Sequence, residues 1–376
     1  MPALVFDVQH AEDPRDAIHR AVQALVEGKL VALPTETVYV VAASALHESA
    51  VQRQRELCRN GQPEPLTLAV KSTDEALDYV TRIPRVGLRL ARRCWPGPLT
   101  LQMADSHPES LVNRLPDKVR QAIAPGGLMR LRVPAHEIMI AVLRLLAGPL
   151  VIAGARRPGG SDPVTAQDVL KGMGGEIEMV LDAGKSKLCQ PSSVVQLGTS
   201  GMEILRAGAV SEANLKRLSS WMAVLVCTGN TCRSPMAEVL LRKHLADKLG
   251  VKLEELEDHG VMVMSAGVAA AAGSRPAPEA VMAMKQRGLD LSLHESQPLT
   301  DRLVRFADLI LTMTRSHREA IVSSFPEAAA RTHMISRNRG DVSDPIGGPA
   351  ELYRRCADQI EAYLETWVEE WESEGS

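Results

Sequence analysis

Cys227 and Arg233 enclose five residues in the stretch VLVCTGNTCRSPMAE, which runs from Val224 to Glu238. A thiol and a guanidinium at that separation suit phosphate chemistry: the thiolate attacks phosphorus while the planar cation forks onto two phosphate oxygens. Val224-Leu225-Val226 ahead of the cysteine predicts a buried strand. Ser234-Pro235-Met236-Ala237-Glu238 after the arginine opens a helix, with Pro near its start and Glu in its first turn. A strand-to-helix loop of this length can turn its backbone N–H groups inward as an anion nest, with the helix dipole behind it. Gly229 and Asn230 are residue types that tolerate the left-handed backbone such a nest needs.

The elements that must hold this loop alternate. From 222 to about 371 the pattern predicts a strand, the loop, a helix over 235–249, a strand over 261–264 and a helix over 277–287. A strand over 308–313, a helix over 316–323, a strand over 332–335 and a long helix over about 349–371 follow. This alternation specifies an α/β domain with a doubly wound parallel sheet, its ligand loop at the carboxyl end of a strand. Leu352, Cys356, Ile360, Tyr363, Leu364 and Trp367 fall on one stripe of the last helix.

Upstream, helices are expected over 14–28, 74–81, 85–94 and 136–147, with an amphipathic segment over 46–58. Strands are expected over 30–33, 66–70, 128–133, 150–153, 194–197 and 204–208, and a further strand follows Trp95-Pro96-Gly97-Pro98. Residues 1–212 thus read as one mixed α/β domain, 213–221 as a short polar linker that begins helically, and 222–376 as the second domain. Met222 resembles the start of an independent protein, as a gene fusion would leave.

Composition bounds the rest. A chain of 376 residues, 45% apolar and 24% charged, fits two soluble globular domains. A net charge of −3 argues against a protein that coats nucleic acid, and 3% aromatics leave few platforms for stacked bases. No uninterrupted apolar run is long enough for a membrane span, and MPALVFDVQHAEDPRD lacks the basic start and apolar core of a signal peptide. Six scattered cysteines suit a reducing compartment, so a cytoplasmic location is expected. No metal-ligand cluster is visible, and neither a metal nor a cofactor is expected.

Five motifs of the first domain occur in family order: ALPTETVY at 32–39, WPGPLTL at 95–101, LRVPAH at 131–136, QPSSVV at 190–195 and ILRAGAV at 204–210. They resemble the YrdC-like threonylcarbamoyl-adenylate synthases. The resemblance implies a twisted open sheet with helices on both faces, around a concave, positively charged cavity. It also implies synthesis of an adenylated threonylcarbamate from ATP, bicarbonate and threonine for tRNA modification; several members are described as binding double-stranded RNA. Carried onto this chain, the ligand site falls at Thr35, Thr37, Arg59, Arg132, Arg156, Ser193 and Arg206.

The departures from the family pattern lie in the cavity loops. Where the family has Lys-x-Arg-Pro before a Pro-Leu pair, this chain reads Cys58-Arg59-Asn60-Gly61-Gln62-Pro63-Glu64-Pro65-Leu66. Each charge-assisted phosphate bond lost there costs about 1.5–3 kcal/mol. The Ser-Ala-Asn-x-Ser-Gly loop stands as Gly154-Ala155-Arg156-Arg157-Pro158-Gly159, and the Gly usual after the Tyr is Val40. The scaffold is kept, while synthase activity is expected to be absent. Arg156 and Arg157 leave open a different anion site, for nucleotide or RNA phosphate.

The second domain resembles the low-molecular-weight protein-tyrosine phosphatases, particularly their protein-arginine-phosphatase branch. The resemblance rests on the Cys227 loop, the Ser265-Ala266-Gly267 strand end, Ala307 to Met313, and Asp344-Pro345. It implies Cys227 as nucleophile, Arg233 as phosphate clamp and Asp344 as general acid, within a loop of Thr228, Gly229, Asn230, Thr231, Cys232 and Ser234. Ser234 would donate to the Cys227 sulfur, and Asn230 would lock the loop. Asp341 competes with Asp344 for the acid role, and Cys232 can form a reversible disulfide with Cys227. Cys356, His294 and His333 read as core.

Substrate choice turns on Thr231 and Ile346. Thr stands in the arginine branch where tyrosine phosphatases carry Ile or Leu, and Ile346 replaces an aromatic that would stack on phosphotyrosine. The expected function is a protein phosphatase acting on phosphotyrosine or phosphoarginine, with a phosphorylated protein as partner. The alternative is a bifunctional or regulatory protein whose first domain binds nucleotide or double-stranded RNA, or makes threonylcarbamoyl-AMP.

Overall fold

The computed structural model describes residues 2–58, 65–104, 107–157, 159–198, 201–337 and 339–375. The chain divides between Leu218 and Ser219 into two compact units.

The first unit is built on strands β1 (Leu4–Asp7), β2 (Val31–Leu33), β3 (Val40–Ser44), β4 (Thr67–Ala69) and β5 (Leu99–Ala104), followed by β6 (Leu128–Arg132), β7 (Leu150–Gly154), β8 (Met179–Asp182), β9 (Ser193–Gly198) and β10 (Gly201–Arg206). They form one mixed sheet in the order β1-β8-β2-β3-β7-β4-β6-β5-β9-β10. Its helices are α1 (Arg15–Val26), α2 (Glu48–Cys58), α3 (Thr73–Tyr79), α4 (Arg85–Cys94), α5 (Asp117–Ile123), α6 (Glu137–Leu145), α7 (Ala166–Met173) and α8 (Glu212–Ser219).

Side-chain alternation puts a core on each face of this sheet. Ala32, Val41 and Ala43 point to the face covered by α2 to α5 and α7, while Val31, Leu33, Val40 and Ala42 pack against α1 and α6. Strand β3 carries no polar alternation because both its faces are buried, which is why its pattern is silent in the sequence. The stretch read as a linker holds helix α8, whose Leu215 is buried in the first unit's core.

The second unit holds β11 (Trp221–Cys227), β12 (Val261–Gly267), β13 (Leu309–Thr312) and β14 (Thr332–Met334), all parallel, in the order β12-β11-β13-β14. Its helices are α9 (Arg233–Leu249), α10 (Pro278–Lys285), α11 (Asp301–Phe306), α12 (Arg315–Ser324) and α13 (Ala350–Gly375). Ala223, Leu225 and Cys227 face the core made with α9, α10 and α13; Met222, Val224 and Val226 face Val304 of α11 and Ile321 of α12. The chain leaves β11 for β12 on one side, then crosses to β13 on the other. The switch point therefore falls at the carboxyl end of β11, where Cys227 stands.

On α13 the buried stripe runs through Tyr353, Cys356, Ala357, Ile360, Leu364 and Val368. Leu352, expected on it, is exposed: over a helix this long the 3.6-residue period centres the stripe on Tyr353.

Candidate functional site

Cys227 ends β11 with its thiol buried. Its sulfur accepts the Asn230 backbone N–H at 3.2 Å and lies 3.0 Å from Ser234 Oγ. Asn230 takes the left-handed turn, at φ +54°, and Gly229 does not share it. The amide of Asn230 explains why one such residue suffices. Its Nδ2 donates to Ser234 Oγ at 3.0 Å and to Ser265 Oγ at 2.9 Å, and its Oδ1 accepts from Gln297 N at 2.9 Å. Because Asn230 donates to Ser234, the serine's own proton is left for the Cys227 sulfur or for Ala266 O at 3.4 Å.

Neighbouring backbone fixes the rest of the loop. Val268 N donates to Cys227 O, Ala269 N to Thr228 O and Ala277 N to Thr231 O, each at 2.9–3.0 Å. A Cβ on Gly267 would sit 2.4 Å from Thr228 O and 3.0 Å from Asn230 N, so this strand end must be glycine.

Arg233 lies at the rim with its side chain buried. It donates to Val342 O at 3.2 Å and to Asp344 Oδ2 at 2.5 Å, and its buried Nε has no partner among the described residues. Asp344 is half-exposed and its Oδ1 accepts Ile346 N–H at 3.2 Å. Asp341 instead accepts the Arg315 N–H at 2.8 Å at the start of α12. Of the two acids, Asp344 is the one joined to Arg233. The Thr231 hydroxyl has only the Cys232 sulfur, at 3.7 Å, within reach among the described residues. The Cys232 sulfur also lies 3.7 Å from Tyr353 OH, and burial pushes this thiol above its ordinary value. Cys356 is buried, its thiol pushed up to about 12 by desolvation, and Ile346 is exposed beside Asp344.

Two residues of this centre, His294 and His317, were not legible as such. His294, read as core, is half-buried and its Nε2 meets Asn230 O at 2.9 Å. His333 is likewise half-buried, its ring tilted against Trp367. His317, unnoticed in the sequence, is buried with Nε2 2.9 Å from Thr228 Oγ1. The signal was available: His317 opens the helix after β13, at the same sheet edge as Cys227.

In the first unit, Arg132, Arg156 and Arg206 line one cleft with Thr100 and Ser192, of about 90 Å³. Each cation has a partner there. Arg132 is buried and bonds Glu36 Oε1 at 2.7 Å and Thr37 Oγ1 at 2.9 Å; Arg156 pairs with Asp162 at 2.8 Å; Arg206 donates to Ser192 O at 2.9 Å. Thr35 is turned inward onto Thr37 and Val38 O, and the Ser193 hydroxyl serves Val210 and Gly208 backbone. These two hydroxyls are therefore scaffold, not cleft lining. Arg157 pairs with Glu176 at 2.6 Å, and Arg59 lies outside the described residues.

Comparison with known proteins covers both units. A model of the Sua5/YciO/YrdC family, described as Telomere recombination, matches residues 23–208, and one described as Low molecular weight phosphotyrosine protein phosphatase matches 222–376. A Protein-arginine-phosphatase of Geobacillus stearothermophilus is 39% identical over 155 residues, 40% of this chain and 96% of the relative. A Threonylcarbamoyl-AMP synthase of Pyrococcus abyssi is 31% identical over 245 residues, 61% of this chain and 69% of the relative. The chain belongs to both families.

The solved structure of P. abyssi Sua5 complexed with L-threonine covers 70% of this chain and 92% of its own, at 24% identity and a TM-score of 0.52, a likeness of fold alone. The second domain is a cysteine-dependent phosphatase of the low molecular weight family. Among the described residues no helix is long and apolar enough to cross a membrane, and no group of acidic, His and Cys side chains is arranged for a metal.

His317 gives this phosphatase domain a pH signature. Burial, then the Arg233 charge, hold the imidazole near 4 against an ordinary 6.5. Between those values the unfolded chain binds a proton that the folded one refuses, so this contribution to stability is lost as pH falls from about 6.5 toward 4. Replacing His317 by Asn, which can still meet Thr228, should flatten that limb. Denaturation midpoints of both proteins at pH 7 and pH 5 test this; an equal drop in the two refutes it.

Proposed function

We propose that the second domain hydrolyses phosphorylated protein side chains through a phosphocysteine on Cys227. The carrying observation is the Cys227 sulfur facing an inward N–H at 3.2 Å, in a loop whose rim presents Arg233 and Asp344. Sulfur attacks phosphorus as the bond from phosphorus to the substrate's oxygen or nitrogen breaks, and Asp344 delivers its proton to that leaving atom. Arg233 turns from Asp344 to two phosphoryl oxygens, giving its buried Nε a partner. Water then attacks phosphorus, its proton passes to Asp344, and the sulfur departs as thiolate with the Ser234 hydroxyl donating to it. Asp344→Asn should lower turnover by about 10²–10⁴-fold, chiefly for substrates with poor leaving groups; an unchanged rate would remove Asp344 from the mechanism.

Phosphoarginine is the preferred substrate in this reading. It is supported by the Thr231 hydroxyl, which among the described residues has only a sulfur to meet, by the aliphatic Ile346 at the rim, and by the relative named as a Protein-arginine-phosphatase. Phosphate release from phosphoarginyl and phosphotyrosyl peptides at matched concentration, with acid-quenched capture of the Cys227 peptide, tests the whole proposal. No release from either, or phosphate on another residue, sinks it. Thr231→Ile should cut the phosphoarginine-to-phosphotyrosine ratio about tenfold, the loss of roughly one hydrogen bond; a constant ratio clears Thr231 of the role.

For the first domain we infer a module without synthase chemistry. The cleft's cations are engaged with Glu36, Asp162 and Ser192, and about 90 Å³ compares with roughly 300–1,000 Å³ for pockets that enclose cofactor-sized ligands. ATP consumption dependent on threonine and bicarbonate would refute this. Titrations of ATP and duplex RNA against the chain decide whether either is its ligand.

A further inference from the structure

A second cavity, of about 510 Å³, opens in the phosphatase domain behind the phosphate loop, between α9 and the segment 289–295. Its volume is that of a site for a small organic molecule. Val239, Leu253, Leu289 and Leu291 supply apolar wall, and Glu238, Glu254, Asp290 and Glu295 supply carboxylates against the single guanidinium of Arg242. Two of these acids are already used: Glu295 faces Arg275 at 3.6 Å, and Asp290 caps Ser292 N. Glu238 and Glu254 make no ion pair among the described residues.

Glu238 is the informative one. Its Oε2 accepts from Ser265 Oγ at 2.5 Å. Burial raises its pKa above the ordinary value, so a cation brought beside it would relieve a desolvated charge.

We propose that this cavity binds a small organic cation with an apolar body, its ammonium or guanidinium group on Glu238, and that occupancy acts on the phosphate loop. Two hydrogen-bond paths carry the effect. Glu238 holds Ser265, which receives Asn230 Nδ2, and the cavity-lining His294 meets Asn230 O directly. Asn230 in turn places its N–H on the Cys227 sulfur. A ligand that draws Glu238 toward the cavity loosens the Ser265 hydroxyl, and with it the residue that shapes the nest.

The test is calorimetric titration of the full chain with 2-phenylethylammonium, the phosphate loop being saturated with inorganic phosphate. Saturable one-to-one binding is expected, about tenfold or more weaker in Glu238→Gln and for neutral 2-phenylethanol. Val239→Phe, which fills the cavity while sparing Glu238, should abolish it. No saturable binding, or undiminished affinity in Glu238→Gln or Val239→Phe, overturns the site. Because binding is read without turnover, its failure is separable from any failure of the catalytic proposal. An unchanged kcat at saturating cation overturns the coupling.

Discussion

Cys227→Ser should abolish hydrolysis of both phosphoarginyl and phosphotyrosyl peptides, by at least about 10⁴-fold, while phosphate still binds. Sulfur is both a stronger nucleophile toward phosphorus and a better leaving group from it than a serine oxygen. The environment is specific to that task. Asn230 N and Ser234 Oγ approach the sulfur at 3.2 and 3.0 Å, and both remain in the variant to bind anion. Steady-state rates, paired with calorimetric phosphate binding, make the measurement. Turnover that survives in the variant would remove Cys227 from the chemistry; lost phosphate binding would mean that the loop itself had collapsed.

Arg233→Lys should cost about 10³-fold in kcat/KM although the positive charge is kept. The guanidinium reaches Val342 O and Asp344 Oδ2 through different nitrogens, a fork that sets its plane and leaves Nε aimed for a third acceptor. An ammonium is a point donor on a flexible stem and cannot reproduce two parallel bonds to equatorial oxygens. Phosphate affinity should fall as well, separating this variant from Cys227→Ser. A lysine enzyme within tenfold of the original would show that charge alone is enough.

What the sequence discloses here is what is local. The strand, loop and helix around Cys227 occupy consecutive residues, so residue types alone place the thiol, the guanidinium and the helix start. The groups that lock them are not local. Ser265 comes from β12, Gln297 and His294 from the segment after α10, and His317 from the helix after β13; only the parallel sheet brings these ends together. Which residue of the Gly229–Asn230 pair takes the left-handed turn is hidden for a related reason. Either it or Asn230 could supply positive φ, and the three tertiary bonds of the Asn230 amide decide between them. In the first domain, Arg132 looks like a ligand cation until its buried partner Glu36, 96 positions earlier, is seen beside it.

The Arg233–Asp344 contact has a consequence for how the phosphatase meets a crowded solution. An empty phosphate nest is a trap for any small anion, since its N–H groups and helix start attract negative charge without regard to what carries it. Here one nitrogen of the cation at the rim is already paired with a tethered carboxylate at 2.5 Å. Chloride or bicarbonate, with few acceptor atoms, gains little by evicting it, whereas a phosphoryl group offers enough oxygens to take the arginine and fill the nest together. On this geometry free phosphate, which offers those oxygens, should compete with substrate more strongly than chloride does.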